Sequence, residues 1–215
     1  MRIGVLISGR GSNLKALIDT CETPGFRGRI ALVISNRPGA TGLAIAEAAG
    51  IPTLVIDHKE YATRTTFDAD LDRALSKAGV ELICNAGFMR ILTDEFVEKW
   101  RDRQLNIHPS LLPAFKGMHV HQRALDAGVK ITGCTVHFVR AEMDEGPIVA
   151  QAAVPVLPGD TVDTLAARVL EAEHRLYPLA LRLIVEGRAR VVGEHVVIDY
   201  DGETLAGPLF VPGQI

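Results

Sequence analysis

Residues 3–20 read IGVLISGRGSNLKALIDT. A short β-branched apolar run breaks at two closely spaced glycines and gives way at once to an amphipathic, helix-forming segment. The pattern then repeats. IALVIS at 30–35 precedes a helix-like stretch from about Thr41, TLVID at 53–57 precedes one from Thr65 to Ala78, and VELICNAG at 80–87 closes the series. Strands alternating with helices at this spacing imply right-handed βαβ units. The expected fold is therefore α/β, a Rossmann-like open, mostly parallel twisted sheet with helices on both faces. Loops that follow the strand C-termini form the binding edge of such a sheet. Ser8 to Asn13, Ser35 to Arg37 and Asn85 to Arg90 should share that rim.

The second half changes character. TDEFVEKW at 93–100 is helix-like, RQLNIHPS at 103–110 strand-like, and Pro109 to Gly117 is punctuated as an ordered loop. A short helix near His121 to Ala127, strands over Thr132 to Arg140 and Ile148 to Val156, and a long helix over Val162 to Glu186 follow. The tail RARVVGEHVVIDYDGETL at 188–205 reads as a small hairpin with Gly202 in its later turn. The break near residue 100 marks two halves, 1–100 and 101–215, of one domain spanning 1–215, with a ligand cleft expected between them.

Bulk properties narrow the function. The chain has 215 residues, 47% of them hydrophobic, enough to bury a full core. A formal net charge of -3 argues against general nucleic-acid binding, which needs many gathered cations. The opening apolar run from Ile3 to Ile7 is too brief for a secretory signal, and no stretch approaches the roughly 20 apolar residues that cross a bilayer. Neither export nor membrane insertion is expected. Cys21, Cys84 and Cys134 are widely spaced and unpaired by motif, which fits reduced thiols in a cytoplasmic protein rather than disulfides or a zinc site.

Two constellations carry chemistry. Ser8-Gly9-Arg10-Gly11-Ser12-Asn13 follows a strand and opens a helix, so its backbone N–H groups can cradle an anion. The third glycine of a dinucleotide fingerprint would fall at Leu14, and no GK[ST] follows, so one terminal phosphate suits the loop better than a pyrophosphate. The plain alternative is a strand-to-helix turn with Ser12 or Asn13 as N-cap. The second constellation is Asn106, His108 and Asp144. Strand alternation puts Asn106 and His108 on one face, Pro109 stiffens the strand end, and the turn MDEGP at 143–147 can present a carboxylate. An amine attacking a formyl-type carbonyl generates an oxyanion and a cationic nitrogen. Donors such as Asn106 and His108 would meet the first, and Asp144, by favouring the imidazolium of His108 or taking a proton, would serve the second.

SGRGSNL at 8–14, AGFMRIL at 86–92, LNIHPSLLP at 105–113 and MDEGPI at 143–148 together resemble the phosphoribosylglycinamide formyltransferases of purine biosynthesis, a branch of the folate-dependent formyltransferases. The resemblance spans most of the chain. It implies an enzyme that passes the formyl group of 10-formyltetrahydrofolate, a co-substrate, to the amine of the small ribonucleotide, with Asn106, His108 and Asp144 catalytic. It implies Gly11, Ser12 and Asn13 at the substrate phosphate and Glu173 at its ribose or amino side. Residues 1–100 would be the nucleotide-binding half and 101–215 the folate-binding and catalytic half.

By the same resemblance Phe88, Met89, Arg90, Ile91 and Leu92 form a wall of the folate pocket, and Arg64 meets the folate carboxylate end. Backbone groups of Arg90, Leu92 and the loop over Arg140, Ala141, Glu142, Met143 and Asp144 would read the pterin edge, and Asn106 would also bind the co-substrate. The small molecules would be the only partners, without nucleic acid or membrane, and a homodimer is compatible. Arg10 and Glu145 depart from the family habit of Asn and Gly at those places. His119, His121 and His137 are assigned to structure or loose substrate contact, and without HExxH or cysteine partners no metal is expected. Two other readings stay open: a related formyltetrahydrofolate hydrolase or formyltransferase with another acceptor, and a non-catalytic nucleotide or folate binding module.

Overall fold

The computed structural model describes residues 1–199 and residue 211. Strands β1 (Arg2–Ile7), β2 (Arg29–Ser35), β3 (Thr53–Val55), β4 (Leu82–Asn85), β5 (Gln104–His108), β6 (Ile131–Phe138) and β7 (Ile148–Pro155) form one sheet in the order β3-β2-β1-β4-β5-β6-β7. The run β3-β2-β1-β4-β5 is parallel, and β6 and β7 add antiparallel. Helices α1 (Ser12–Cys21), α2 (Gly42–Ala48), α3 (Arg64–Lys77), α4 (Asp94–Lys99), α5 (Val120–Asp126) and α6 (Val162–Val185) flank it. A terminal hairpin, β8 (Ala189–Val192) with β9 (His195–Ile198), turns at Gly193 and Glu194, whereas Gly202 lies outside the described residues.

Alternation along the strands explains the layers. Ile3, Val5 and Ile7 of β1 pack with Leu14 and Leu17 of α1 and Val169 and Tyr177 of α6, while Leu6 points to the opposite face with Phe67 and Leu71 of α3 and Trp100. Two apolar cores result, one on each face. The first draws on β1, β5, β6, α1 and α6 alike, so the two halves share it. Burying a Leu or Ile of this size contributes roughly 2 kcal/mol, which is why the element positions follow the apolar pattern to within about a residue or two at each end.

The direction of winding reverses between β1 and β4. At such a point the loops leaving the strand C-termini diverge and open a crevice. Ser8 bridges the two loops: its hydroxyl donates to Asn36 Oδ1 at 2.6 Å and accepts from the Met89 amide at 2.7 Å. Below it the Tyr177 hydroxyl ties the Asn85 and Leu105 carbonyls together, at 3.1 and 3.3 Å.

Candidate active site

Strand β5 delivers Asn106 and His108 to the crevice, and antiparallel pairing sets His137 of β6 opposite Asn106. The chain leaves β6 in a loop over 139–147 that folds back hard on the sheet. Only glycine fits at Gly146, where a Cβ would stand 1.7 Å from the Phe138 carbonyl oxygen. Asp144 takes a left-handed backbone, φ 58, which Asp tolerates better than most residues. Its side chain thereby turns inward. Oδ2 lies 3.4 Å from His108 Nδ1 and accepts the Gly117 amide at 2.8 Å, while Oδ1 lies 3.8 Å from His137 Nε2.

Asn106, His108 and Asp144 therefore converge as expected from the sequence. His137 joins them as a fourth member, in closer company with the trio than its assignment to structure or loose contact implied. Strand alternation held the signal, since His137 shares a face with Thr135 and both lie opposite β5.

Acceptor-only partners fix the protons. His137 Nδ1 faces the Phe138 carbonyl at 2.9 Å, so it carries the hydrogen, and Nε2 accepts from Asn106 Nδ2 at 3.2 Å. Burial pushes the His137 imidazole below its ordinary value, in keeping with this neutral tautomer. Its bond orients the Asn106 amide and leaves that nitrogen a second N–H to give. His108 donates from Nε2 to the Phe115 carbonyl at 3.0 Å and faces Asp144 with Nδ1. Both ring nitrogens thus meet acceptors. His121 Nδ1 is buried without a partner among the described residues, and burial together with the nearby His108 lowers its pKa. His119 is exposed at the start of α5.

The glycine loop differs from a plain capped turn. Gly11 itself sits at the N-cap of α1 with φ 77, and neither Ser12 nor Asn13 caps the helix. A Cβ at Gly11 would fall 2.5 Å from Gly42 Cα, so only glycine lets α1 and α2 approach there. The first N–H groups of an α-helix have no acceptor within it, and here they face the rim uncapped by any side chain. Threonines cap α3, α4 and α6.

Behind the loop Asn13 Nδ2 donates to Glu173 Oε2 at 2.7 Å, both residues being buried. Burial raises the Glu173 carboxyl to about 7, with the Asn13 bond opposing. Glu173 is thus no ordinary exposed helix charge. Its place on the apolar stripe Leu165, Val169, Glu173, Tyr177, Leu181 would have disclosed that burial. A groove of about 700 Å³ runs from Arg10 and Ser12 along α1 to His174 and Pro178.

The folate-wall residues divide. Met89 and Ile91 are 66% and 58% exposed and border the crevice, whereas the Leu92 side chain is core beside Phe96. Leu92 could serve only through its backbone. Arg90 lies over the Phe67 ring, 4.6 Å from its centroid, with a buried, unpartnered Nε. Arg64 opens α3, exposed. Ala141, Glu142 and Met143 are exposed, and the Arg140 side chain turns away from the cleft to Asp102 and Glu194. Glu145 pairs with Lys116 at 2.7 Å, joining the loop over 139–147 to the one before α5.

Burial lifts the Cys21 thiol to about 11 and those of Cys84 and Cys134 to about 12, so none is a ready nucleophile. Among the described residues no group of three His, Cys, Asp or Glu side chains could hold a metal ion, and no helix is long and apolar enough to cross a membrane.

Residues 1–181 match the family model described as formyl transferase. The chain is 44% identical to the phosphoribosylglycinamide formyltransferase of Escherichia coli, over 89% of this chain and 90% of that protein. It is 57% identical to the trifunctional purine biosynthetic protein adenosine-3 of Gallus gallus over 89% of its own length, but spans only 19% of that protein. Among solved structures, glycinamide ribonucleotide transformylase 1 of Symbiobacterium toebii superposes with a TM-score of 0.89 at 52% identity, covering 92% of this chain and 93% of that one.

Proposed function

The chain belongs to the formyl transferase family, and from that premise we propose that it transfers the formyl group of 10-formyltetrahydrofolate to the amine of N1-(5-phospho-D-ribosyl)glycinamide in de novo purine biosynthesis. One observation carries the reading beyond kinship: the Asp144 carboxylate lies against His108, and His137 orients Asn106 beside it, on the rim that also holds the uncapped terminus of α1. The names of the Escherichia coli and Symbiobacterium toebii proteins point to the same acceptor.

In the proposed reaction the amine attacks the formyl carbon, a new C–N bond forms, and the bond from that carbon to folate N10 breaks. One amine proton must leave, and one must reach the departing folate nitrogen. Asn106 and His108 donate to the carbonyl oxygen as it becomes anionic. Asp144 keeps His108 supplied with its proton and, directly or through water, accepts from the attacking nitrogen. Gly11, Ser12 and Asn13 would hold the phosphate on backbone amides, with Glu173 behind them at the ribose or amino side.

Met89 to Leu92, the backbone of Arg140 to Asp144, and Arg64 would hold the folate, so residues 1–100 lean toward the nucleotide and 101–215 toward folate and catalysis. The bond from Asn13 to Glu173 joins the two halves. Binding places the reactants in near-attack geometry for direct transfer without a covalent intermediate. A soluble, cytoplasmic enzyme meeting only small molecules is the matching picture.

Formyl transfer assayed with the ribonucleotide, with other amine acceptors and with water alone tests the proposal. Turnover should require the ribonucleotide, and His108→Ala and Asp144→Asn should each lower kcat by about 100-fold or more while both ligands still bind. Hydrolysis without transfer would assign the chain to the hydrolases instead. Binding without turnover in the unaltered protein would leave a binding module.

A further inference from the structure

The loop that brings Asp144 to His108 is gripped at a distance. Between Val139 and Asp144 the chain runs through Ala141, Glu142 and Met143, all exposed. Its one buried anchor on that side is Arg140, whose side chain is only 7% exposed. The guanidinium donates from one terminal nitrogen to Asp102 Oδ1 at 2.7 Å and from Nε to Glu194 Oε2 at 2.8 Å. Asp102 belongs to the turn that leads into β5, the strand of Asn106 and His108, and Glu194 to the β8–β9 hairpin turn. Arg101 also bonds Glu194, which fixes that carboxylate from its other side.

Backbone conformation supports the connection. Four non-glycine residues among those described have positive φ. Phe115 and Asp144 both meet His108, His119 opens α5, and the fourth, Asp102, is the residue that holds Arg140. The hydrogen bond from Arg140 also keeps the Glu194 carboxyl below the usual carboxylate range. Charged partners on a nearly buried guanidinium form a directional clamp, because Arg presents its donors in a rigid planar fork.

Resting on the function proposed above, we propose that Glu194 and Asp102 are positioning residues for Asp144, acting through Arg140. The terminal hairpin is then part of the catalytic apparatus without touching a substrate. It sets where the loop over 140–144 begins, while Gly146 sets where it ends.

The test compares Glu194→Gln, Asp102→Asn and the double variant, with Glu98→Gln, which removes a carboxylate from Arg101 and leaves Arg140 untouched, as the control. The double variant should lose about tenfold in kcat, since small displacements of a catalytic group cost rate steeply, with KM for the ribonucleotide within about twofold. Glu194→Asp, which retains the charge, should restore most of it. The His108 ring signals in nuclear magnetic resonance spectra of the ligand-free protein should move in Glu194→Gln and not in Glu98→Gln. A lower unfolding midpoint with kcat and ring signals unchanged would reduce the cluster to a structural tie and overturn the proposal. Should the double variant not fold, Glu194→Gln, which leaves Asp102 on Arg140, decides by the same readouts. If the unaltered protein transfers no formyl group, the functional reading fails, and the ring signals still decide the positioning role.

Discussion

Replacing Glu173 by Gln should separate what this carboxyl does for binding from what it does to stability. Glu173 is buried on α6, its bonded neighbour is Asn13 Nδ2, and burial raises its carboxyl from 4.5 to about 7. Between those two pH values the folded protein keeps a proton that the unfolded chain releases. Stability therefore falls as pH rises through this window and levels off above it, the reverse of an ion-paired carboxylate. A change from 4.5 to about 7 corresponds to about 3 kcal/mol. Gln imitates the neutral acid and keeps an oxygen for Asn13.

Urea unfolding of the two proteins between pH 5 and pH 8 is the assay, other groups cancelling in the difference. The variant should lie within about 1 kcal/mol of the parent near pH 5 and exceed it by up to about 3 kcal/mol near pH 8. At pH 8, where Glu173 is ionised, the same change should raise KM for the ribonucleotide about tenfold or more, since a bond to a charged partner is worth roughly 1.5–3 kcal/mol. A difference in stability that stays flat over this range would refute the buried, proton-retaining carboxyl.

Gly11→Ala should cost about 2 kcal/mol or more, seen as a lower thermal midpoint, and weaken the phosphate-bearing substrate more than the folate, because a Cβ there meets Gly42 backbone at 2.5 Å in a left-handed conformation. His137→Phe should lower kcat about tenfold with folate affinity kept, because Asn106 loses the acceptor that orients its amide; steady-state kinetics beside a folate titration distinguish this from a damaged pocket.

The architecture was open to reading because it rests on local pattern. The run IGVLIS, the glycines after it and the amphipathic segment beyond define β1, the turn and α1 with no tertiary information, and each later unit repeats that logic. Asn106 and His108 were legible as a same-face pair by alternation alone. Asp144 was less so, because its inward turn depends on φ 58 and on Gly146 pressing against Phe138, which no propensity scale encodes.

His137 entered the site through strand register, a long-range quantity, and the Arg140 side chain turned away from the cleft through pairing with residues 38 and 54 positions away. Leu92 shows the reverse confusion. A pocket wall and an apolar core ask for the same residue type, and only packing against Phe96 separates them.

In the proposed mechanism, the Phe115 carbonyl that accepts the hydrogen bond of His108 Nε2 has a kinetic meaning. While it stands there, the chain's own peptide oxygen plays the part of a visitor, and an arriving carbonyl must evict a tenant of nearly equal hydrogen-bonding power. Exchanging one neutral oxygen for another yields little affinity. The balance tips only when charge builds on the newcomer, which a peptide group cannot match, so a resident decoy reserves the strongest grip of the imidazole for the fleeting species rather than the starting material.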